Sequence, residues 1–364
     1  MIRARKGFCL LKKGQVTLLH GNHKIGDISS IFIGGKTTKK KICLLVVMVI
    51  FVGITLSASL ASSVIPEEEP AVKETEGWYY LPAFPNYAPM GLPDFDQRQD
   101  NWMSNEGIWF FIRGVWSFCG PTSLADIFWW FDSKHEDPQG YPGDGNDTYL
   151  LVRDYHAPGT PTPGPHTDDH NFNNANDALT SWNHGRGGKE LIENVAWYCN
   201  TNLCRFLIIR GFSGTYPYFL EQGAKHWIKD AGLEDRYHVE AIWKPDFSTI
   251  NEHLRKNDGI IVNLLFYNPK AVVFHTLFGH YVAVAGINPD GYIAFSDPVQ
   301  NIMNPGPDPA AHNDAGVVSY DVYPVNFTSP YPDKASWWIE DFYDSGIIKF
   351  SGLAQYALII SETV

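Results

Sequence analysis

Basic residues are scarce in most of this 364-residue chain. After residue 61 the chain holds 18 Lys and Arg against 39 Asp and Glu, a net charge of −21, whereas the whole chain carries −12. Binding to phosphate groups needs clustered cations, so this deficit argues against a nucleic-acid or anionic-membrane partner. An acidic surface suits a soluble protein that is kept dispersed by its own charge.

Charge of either sign is missing from residues 42–61, directly after a basic lead. Residues 1–41 contain ten Lys and Arg but a single acid, and they end in three lysines before the apolar run Ile42–Leu56. Small residues follow as far as Ala61, which is the order of an export signal cleaved after Ala61. The alternative is an uncleaved membrane tether over residues 42–65, since a span needs about 20 apolar residues. Residues 1–61 are therefore predicted to be a basic lead with a signal peptide or anchor, and the protein to be secreted or held at the cell surface.

Cysteine is rare, with five in the chain, and only Cys119, Cys199 and Cys204 follow the predicted signal. An odd number in an oxidising compartment leaves at least one thiol that is free or pairs with another chain. Cys199 and Cys204 are near enough in sequence to form a disulfide, and the alternative is two small buried side chains. Cys119 then remains as the odd cysteine.

No internal repeat is present, and the patterns predict one large domain. Residues 62–90, with Pro and Glu, resemble a linker, and residues 91–364 form the domain, with a loop insertion at about 137–188 that is rich in Gly, Pro, Asn and Asp. Periodicity predicts helices at 122–131, 189–200, 216–231 and 246–256, and strands at 205–210, 237–243, 260–267, 281–287 and 292–295. Helices first and a mostly antiparallel sheet later define an α+β fold.

A cysteine stands at the predicted start of the first helix, in the order Cys119-Gly120-Pro121. This position places the sulfur near unpaired backbone N–H groups and the positive end of the helix dipole, which favours thiolate over thiol. Gly120 allows a tight turn, and Pro121 suits a first helical position. Cys119 is therefore a candidate nucleophile, although a lone cysteine is more often a buried structural residue.

A nucleophilic cysteine needs a base, and the base needs a group that orients it. His280 opens one predicted strand and Asp297 follows the next, seventeen residues later. The turn sequence Asn288–Gly291 folds the two strands into a hairpin, which brings His280 and Asp297 to the same end. His275 is the local competitor for the base, but His280 has Asp297 as its geometric partner.

These motifs resemble papain-like cysteine peptidases, and most of all the branch typified by the double-glycine leader peptidases that process bacteriocins. That branch has Cys-Gly-Pro at a helix start, Gly-His opening a strand and Asp-Pro after the next strand, as in Cys119-Gly120-Pro121, Gly279-His280 and Asp297-Pro298. The likeness spans about residues 92–299. It implies a papain-like fold, with the cysteine helix in an N-terminal helical part and an antiparallel sheet in the C-terminal part.

Papain-like enzymes also use a glutamine upstream of the cysteine, whose amide helps to stabilise the oxyanion. Gln97 and Gln99 stand 22 and 20 residues before Cys119. This spacing exceeds the usual one of the family and implies an insertion between Gln and Cys, and Arg113 occupies the place that the glutamine has in short-spaced enzymes. Gln97 matches the Pro-x-x-x-Gln lead better and is the preferred candidate.

The resemblance implies an exported hydrolase that cleaves peptide or amide bonds through a thioester, with a peptide or protein as substrate. Its candidate catalytic residues are Cys119, His280, Asp297 and Gln97, and no metal or organic cofactor is expected. Two alternatives stay open: a non-catalytic papain-fold module that binds a peptide or wall polymer, and an amidase or acyltransferase acting on a non-protein amide.

A polar cluster lies in the predicted insertion. It contains His156, His166, Asp168, Asp169 and His170, and side chains of these types are able to bind calcium or zinc. Their spacing matches no known metal-binding loop, so the pattern favours a solvated loop over a metal site.

Overall fold

The computed structural model describes residues 77–84, 88–97, 103–104, 115–135, 149, 151–152, 191–203, 214–268, 276–299, 318–344 and 349–363. All of them belong to one compact unit, Leu56–Val364. The predicted lead and signal or anchor, residues 1–61, lie outside the described residues, as do the predicted strand at 205–210 and the polar cluster around His166.

The helices come mainly from the first half of the described chain. They are α1 (Cys119–His135), α2 (Leu191–Tyr198), α3 (Pro217–Asp230) and α4 (Phe247–Arg255), with a 3-10 turn at Thr201–Leu203. Helix α1 is buried from Cys119 to Ser133 because it packs against both the sheet and α2. Pro217 begins α3, where its missing N–H would have no helical partner. Gly232 ends that helix at φ +73°, and Leu233 N–H donates to the Ile228 carbonyl as in a Schellman cap.

The strands form one main antiparallel sheet and a separate two-stranded hairpin. They are β1 (Tyr79–Tyr80), β2 (Met103–Ser104), β3 (Val115–Trp116), β4 (Tyr237–Trp243), β5 (Gly259–Tyr267), β6 (Thr276–Asn288), β7 (Tyr292–Ser296), β8 (Asp321–Pro324), β9 (Trp338–Asp344) and β10 (Lys349–Glu362). The main sheet has the order β4-β10-β5-β6-β7-β8, with β1 paired to β6 and β9 paired to β10. The predicted α+β class with an antiparallel sheet is confirmed.

The hairpin of β6 and β7 forms at the predicted turn. Gly291 N–H donates to the Asn288 carbonyl at 3.0 Å, and Gly291 has a φ of +99°, a conformation that side-chain-bearing residues rarely adopt. Strand β6 begins at Thr276, earlier than predicted, because residues before His280 also pair with β5. His280 therefore lies inside the strand and not at its opening.

The longest strand of the sheet, β10, has no counterpart among the predicted elements. It lies between β4 and β5 and pairs with both, and β9 pairs with its first residues. Its residues from Phe350 to Ala354 and from Tyr356 to Ile360 are buried. An interior strand of the sheet is thus supplied by Lys349–Glu362.

Two segments predicted to be linker and loop also contribute to the folded unit. Tyr79 pairs with Ile287 of β6, so folded structure extends into the segment assigned to the linker at 62–90. Within the predicted insertion, Leu151 and Val152 are buried, and the Leu151 carbonyl accepts a hydrogen bond from the Trp227 indole at 2.7 Å. Most of the insertion lies outside the described residues.

The predicted disulfide between Cys199 and Cys204 is not supported. Cys199 carries a buried thiol, and Cys204 lies outside the described residues. A Cβ placed on Gly223 would come within 2.5 Å of the Cys199 sulfur, so α3 approaches this thiol closely. Close packing against a glycine is the environment of a small buried side chain, which was the alternative prediction for Cys199.

Candidate active site

Cys119 is the first residue of α1 and lies almost wholly below the surface, with 8% of its area exposed. The first helical hydrogen bond runs from Thr122 N–H to the Phe118 carbonyl at 2.9 Å. N–H groups in the first turn of a helix have no helical acceptor, and they carry the positive end of the dipole. The helix start therefore surrounds the sulfur with groups that stabilise negative charge.

Gly120 allows neighbouring elements to close on the cysteine. A Cβ at this position would lie 3.1 Å from Cβ of Thr215 and 3.4 Å from Cδ2 of Tyr281. Thr215 precedes α3 and Tyr281 follows His280 in β6, so a larger residue at position 120 would push the helix start away from both. The predicted role of Gly120 as a tight turn is better described as room for this close approach.

His280 and Asp297 meet across the β6–β7 hairpin. Nε2 of His280 lies 2.7 Å from Oδ1 of Asp297, and the Asp297 side chain is fully buried. Val299 N–H donates to the same Oδ1 at 2.9 Å, which holds the carboxylate facing the ring. The carboxylate accepts a hydrogen bond from Nε2–H, so this contact fixes the orientation of the imidazole and keeps a proton on Nε2.

Cys119 lies beside the same imidazole, close enough that its side chain helps to raise the pKa of His280. Because Asp297 occupies Nε2, the nitrogen available to the sulfur is Nδ1. The three side chains thus lie together, with the Cys119 thiol beside the His280 ring and the Asp297 carboxylate hydrogen-bonded to that ring. His275, the competing candidate, lies outside the described residues.

The pKa of His280 reflects two opposed effects. Burial disfavours the charged ring and lowers the pKa, but the charge and hydrogen bond of Asp297 favour it, and Cys119 adds to this. The outcome is a pKa raised to about 10 from 6.5. At neutral pH the ring is therefore held as imidazolium, the form that stabilises an adjacent thiolate and donates a proton.

Gln97 is hydrogen-bonded to the residue that precedes Cys119. Its side-chain Oε1 accepts a hydrogen bond from Phe118 N–H at 2.8 Å, and its backbone N–H donates to the Pro298 carbonyl at 2.9 Å. Since Oε1 is turned to the backbone just before Cys119, the amide presents its –NH₂ group as the donor end. Gln99, the other candidate, lies outside the described residues.

The long spacing between Gln97 and Cys119 contains the small hairpin of β2 and β3. Met103 pairs with Trp116 and Ser104 with Val115, so the chain turns back on itself within the extra residues. An insertion of this kind lengthens the sequence without separating its ends. Gln97 and Phe118 are 21 residues apart and yet hydrogen-bonded.

Two aromatic rings that the sequence did not single out flank the imidazole. The centroids of Phe266 and Phe342 each lie 6.2 Å from that of His280. Tyr323 extends this wall, with its ring centroid 5.0 Å from that of Phe342. An apolar wall keeps water from competing for the bond between His280 and Asp297, which strengthens that bond.

A buried polar cluster behind the site was also missed. Asp126, two turns along α1, accepts hydrogen bonds from Phe95 N–H at 3.0 Å and from the Ser296 hydroxyl at 3.2 Å. Asp94 accepts bonds from the backbone N–H and the hydroxyl of Ser319 at 2.9 and 3.2 Å. A carboxylate in the middle of the apolar run from Leu124 to Phe131 was the available signal, because a buried charge needs partners.

Burial raises the pKa of Asp94 to about 7 from 3.8, and hydrogen bonds from Ser319 and Ser296 oppose that rise. The nearby charge of Asp297 acts in the same direction as burial. Below about pH 7 the Asp94 carboxyl is protonated, so the site does not contain a second buried negative charge close to Asp297.

Within the described ranges, no group of three or more His, Cys, Asp and Glu side chains is arranged to hold a metal ion. In the same residues, no helix has the length and apolar character that crossing a membrane requires. Residues 42–65, the predicted tether, lie outside them.

Comparison with known proteins adds little. No protein-family model matches the chain, and no curated protein matches it. Among solved structures, a match is the active wild-type interpain A cysteine protease of Prevotella intermedia, with 12% identity, 66% of this chain and 81% of that chain covered, and a TM-score of 0.29. The chemistry of this site is therefore derived from its own residues.

Proposed function

We propose that this protein is a cysteine-type hydrolase of the papain-like kind, which cleaves peptide or amide bonds through a thioester. The observation that carries the proposal is the hydrogen bond between His280 and Asp297, with the Cys119 thiol beside the same imidazole. A thiol, an imidazole and a carboxylate in this order are the working parts of nucleophilic acyl transfer. The Gln97 amide beside the cysteine supplies the remaining part, a donor for the oxyanion.

In the first half of the reaction, the Cys119 thiolate attacks the carbonyl carbon of the substrate. The new C–S bond forms as the carbonyl electron pair moves to oxygen, and the N–H groups of the Gln97 side chain and the Cys119 backbone stabilise this oxyanion. The oxyanion then collapses, the C–N bond breaks, and His280 gives its Nδ1 proton to the departing amine. The products of this half are a free amine and a thioester on Cys119.

In the second half, water attacks the thioester while His280 takes one of its protons. The C–S bond breaks, the carboxylic acid leaves as its carboxylate, and the thiolate–imidazolium pair returns. One water is consumed per bond cleaved. Asp297 keeps the ring in place for both proton transfers, through the 2.7 Å bond to Nε2.

Hydrolysis by variants in which one cysteine is replaced by alanine tests the proposal. We expect Cys119→Ala to lower kcat by on the order of 10⁴-fold or more on any substrate that the wild type cleaves, because it removes the nucleophile. Cys199→Ala is the matched control, since Cys199 is also a buried thiol but packs against Gly223 of α3. It should leave kcat within about threefold, as expected for a residue outside the machinery.

The substrates should include both unstructured peptides and small non-peptide amides. Cleavage of peptides favours the peptidase proposal, and cleavage of small amides alone favours the amidase alternative. Unchanged hydrolysis by Cys119→Ala would overturn the proposed mechanism. Peptide binding without any hydrolysis by the wild type would favour the binding-module alternative.

A further inference from the structure

Three segments of the chain carry the candidate site, and one carboxylate on the first of them contacts the other two. Cys119 begins α1, Gln97 lies in the segment 88–97, and Asp297 follows β7. Asp126 lies seven residues after Cys119 on α1, and its side chain contacts the other two pieces. Its position is unusual because the helix around it is apolar and the residue itself is fully buried.

The contacts of Asp126 are divided between its two oxygens. Oδ1 accepts the backbone N–H of Phe95 at 3.0 Å, two residues before Gln97. Oδ2 accepts the hydroxyl of Ser296 at 3.2 Å, one residue before Asp297. Each oxygen therefore holds a residue that is a near neighbour of a site residue, on a different segment.

We propose that Asp126 is a positioning residue, which fixes Gln97 and Asp297 relative to Cys119 by hydrogen-bonding Phe95 and Ser296 from the same rigid helix. This inference rests on the proposed function of the site. In this role Asp126 acts through the backbone of the Gln97 segment and through the hydroxyl beside Asp297. A helix is a suitable mount, because groups held on a rigid element keep their spacing.

Other bonds strengthen the connection between the same pieces. Gln97 N–H donates to the Pro298 carbonyl at 2.9 Å, which links the segment directly to the residue after Asp297. Ser296 also lies near Asp94, whose pKa it affects, so its hydroxyl is close to two buried carboxyl groups. Among these residues, Asp126 is the one that lies on the same helix as Cys119. It therefore connects the network to the helix that carries the cysteine.

Loss of the carboxylate should misplace the site without unfolding the protein. We expect Asp126→Asn to lower kcat by about 10- to 100-fold with KM within about threefold, because displacements of about 1 Å cost rates of this order. An asparagine keeps one acceptor but turns a donor –NH₂ toward either Phe95 N–H or the Ser296 hydroxyl. The Ser296→Ala variant removes one of the two contacts and should show a smaller loss of the same kind.

The matched control is Asp132→Asn on the same helix. Asp132 is also fully buried, and its Oδ2 accepts Val152 N–H at 2.6 Å, away from the site residues. It should lower the thermal stability by an amount similar to that of Asp126→Asn while keeping kcat within about threefold. A purely structural role for Asp126 would give the two variants the same kinetic profile.

Two readouts do not depend on knowing a substrate. One is the rate constant for alkylation of Cys119 by iodoacetamide at pH 7, followed by peptide mass spectrometry. The other is hydrogen exchange of the Phe95 amide, which Asp126 protects. We expect Asp126→Asn to lower the first by about tenfold and to speed the second by at least about tenfold, and Asp132→Asn to change neither.

The outcomes separate this inference from the proposed function. If the wild type hydrolyses nothing, the proposed function fails, and alkylation and exchange still decide the role of Asp126. If Asp126→Asn matches Asp132→Asn in alkylation, in Phe95 exchange and in any hydrolysis, the positioning role is wrong. If Asp126→Asn does not fold, Ser296→Ala gives the same decision through alkylation.

Discussion

The two sides of the candidate site hold their groups by different means. On the helical side, Cys119 and Gln97 are placed by neutral hydrogen bonds to backbone groups and by the close approach of Gly120 to Thr215. On the sheet side, His280 is held by a charged contact with Asp297 beside two phenylalanine rings. The difference indicates a division of work, in which the sheet side sets protonation and the helical side sets position.

This division predicts different failures for variants on the two sides. A change on the helical side should slow hydrolysis while leaving the titration of His280 intact. A change on the sheet side should alter the titration of His280 itself. Asp126 and Asp94 lie between the two sides, and variants of these two residues test whether each affects position or protonation.

The larger effect is expected at Gln97. We expect Gln97→Ala to lower kcat by about 10²- to 10³-fold, because it removes an oxyanion donor, while alkylation of Cys119 stays within about threefold. Alkylation forms no oxyanion, so the two rates separate if the role is right. The measurement is a parallel assay of hydrolysis and alkylation on the same protein.

A second variant controls for structural damage at Gln97. Gln97→Glu keeps an acceptor for Phe118 N–H and loses the donor, so it should restore the stability lost in Gln97→Ala but not kcat. Recovery of hydrolysis in Gln97→Glu would contradict the oxyanion role. So would equal losses of hydrolysis and alkylation in Gln97→Ala.

A smaller effect on hydrolysis, but a clear one on stability, is expected at Asp94. Its pKa is raised to about 7 from 3.8, so between these values the folded protein keeps a proton that the unfolded chain has lost. Its contribution to the free energy of unfolding is therefore full below about pH 4 and is lost as the pH rises to about 7. Asp94→Asn stays neutral and should not show this loss.

Urea unfolding at pH 5 and pH 8 measures the difference. Relative to the wild type, Asp94→Asn should gain stability between these pH values, by at most about 3 kcal/mol. Kinetic constants should stay within about threefold, because the asparagine oxygen still accepts from Ser319. Parallel stability profiles for the two proteins would show that Asp94 is ionised throughout this range.

The sequence predicted the parts of the fold that local pattern controls. The β6–β7 hairpin follows from two apolar runs that flank the turn at Asn288–Gly291, and the start of α1 follows from Gly120 and Pro121. The pairing of His280 with Asp297 came from the same local reasoning, since one hairpin joins them. Sites built within one supersecondary unit are accessible to such reasoning.

What the sequence did not reveal depends on contacts between distant segments. Strand β10 is a strand because β4 and β5 pair with it on both sides, more than 80 residues earlier in the chain. The partners of Asp126 lie 31 and 170 residues away, and Phe342 reaches His280 from the late strand β9. No periodicity within one segment reports such contacts.

The measurement that tests the central claim most directly is an NMR titration of the His280 ring. With its pKa raised to about 10, the ring should stay protonated from pH 6 to pH 9. Asp297→Asn, which removes the charge and the hydrogen bond that favour the protonated ring, should lower this pKa. A wild-type ring that loses its proton near pH 6.5, as an unperturbed histidine does, would contradict the account.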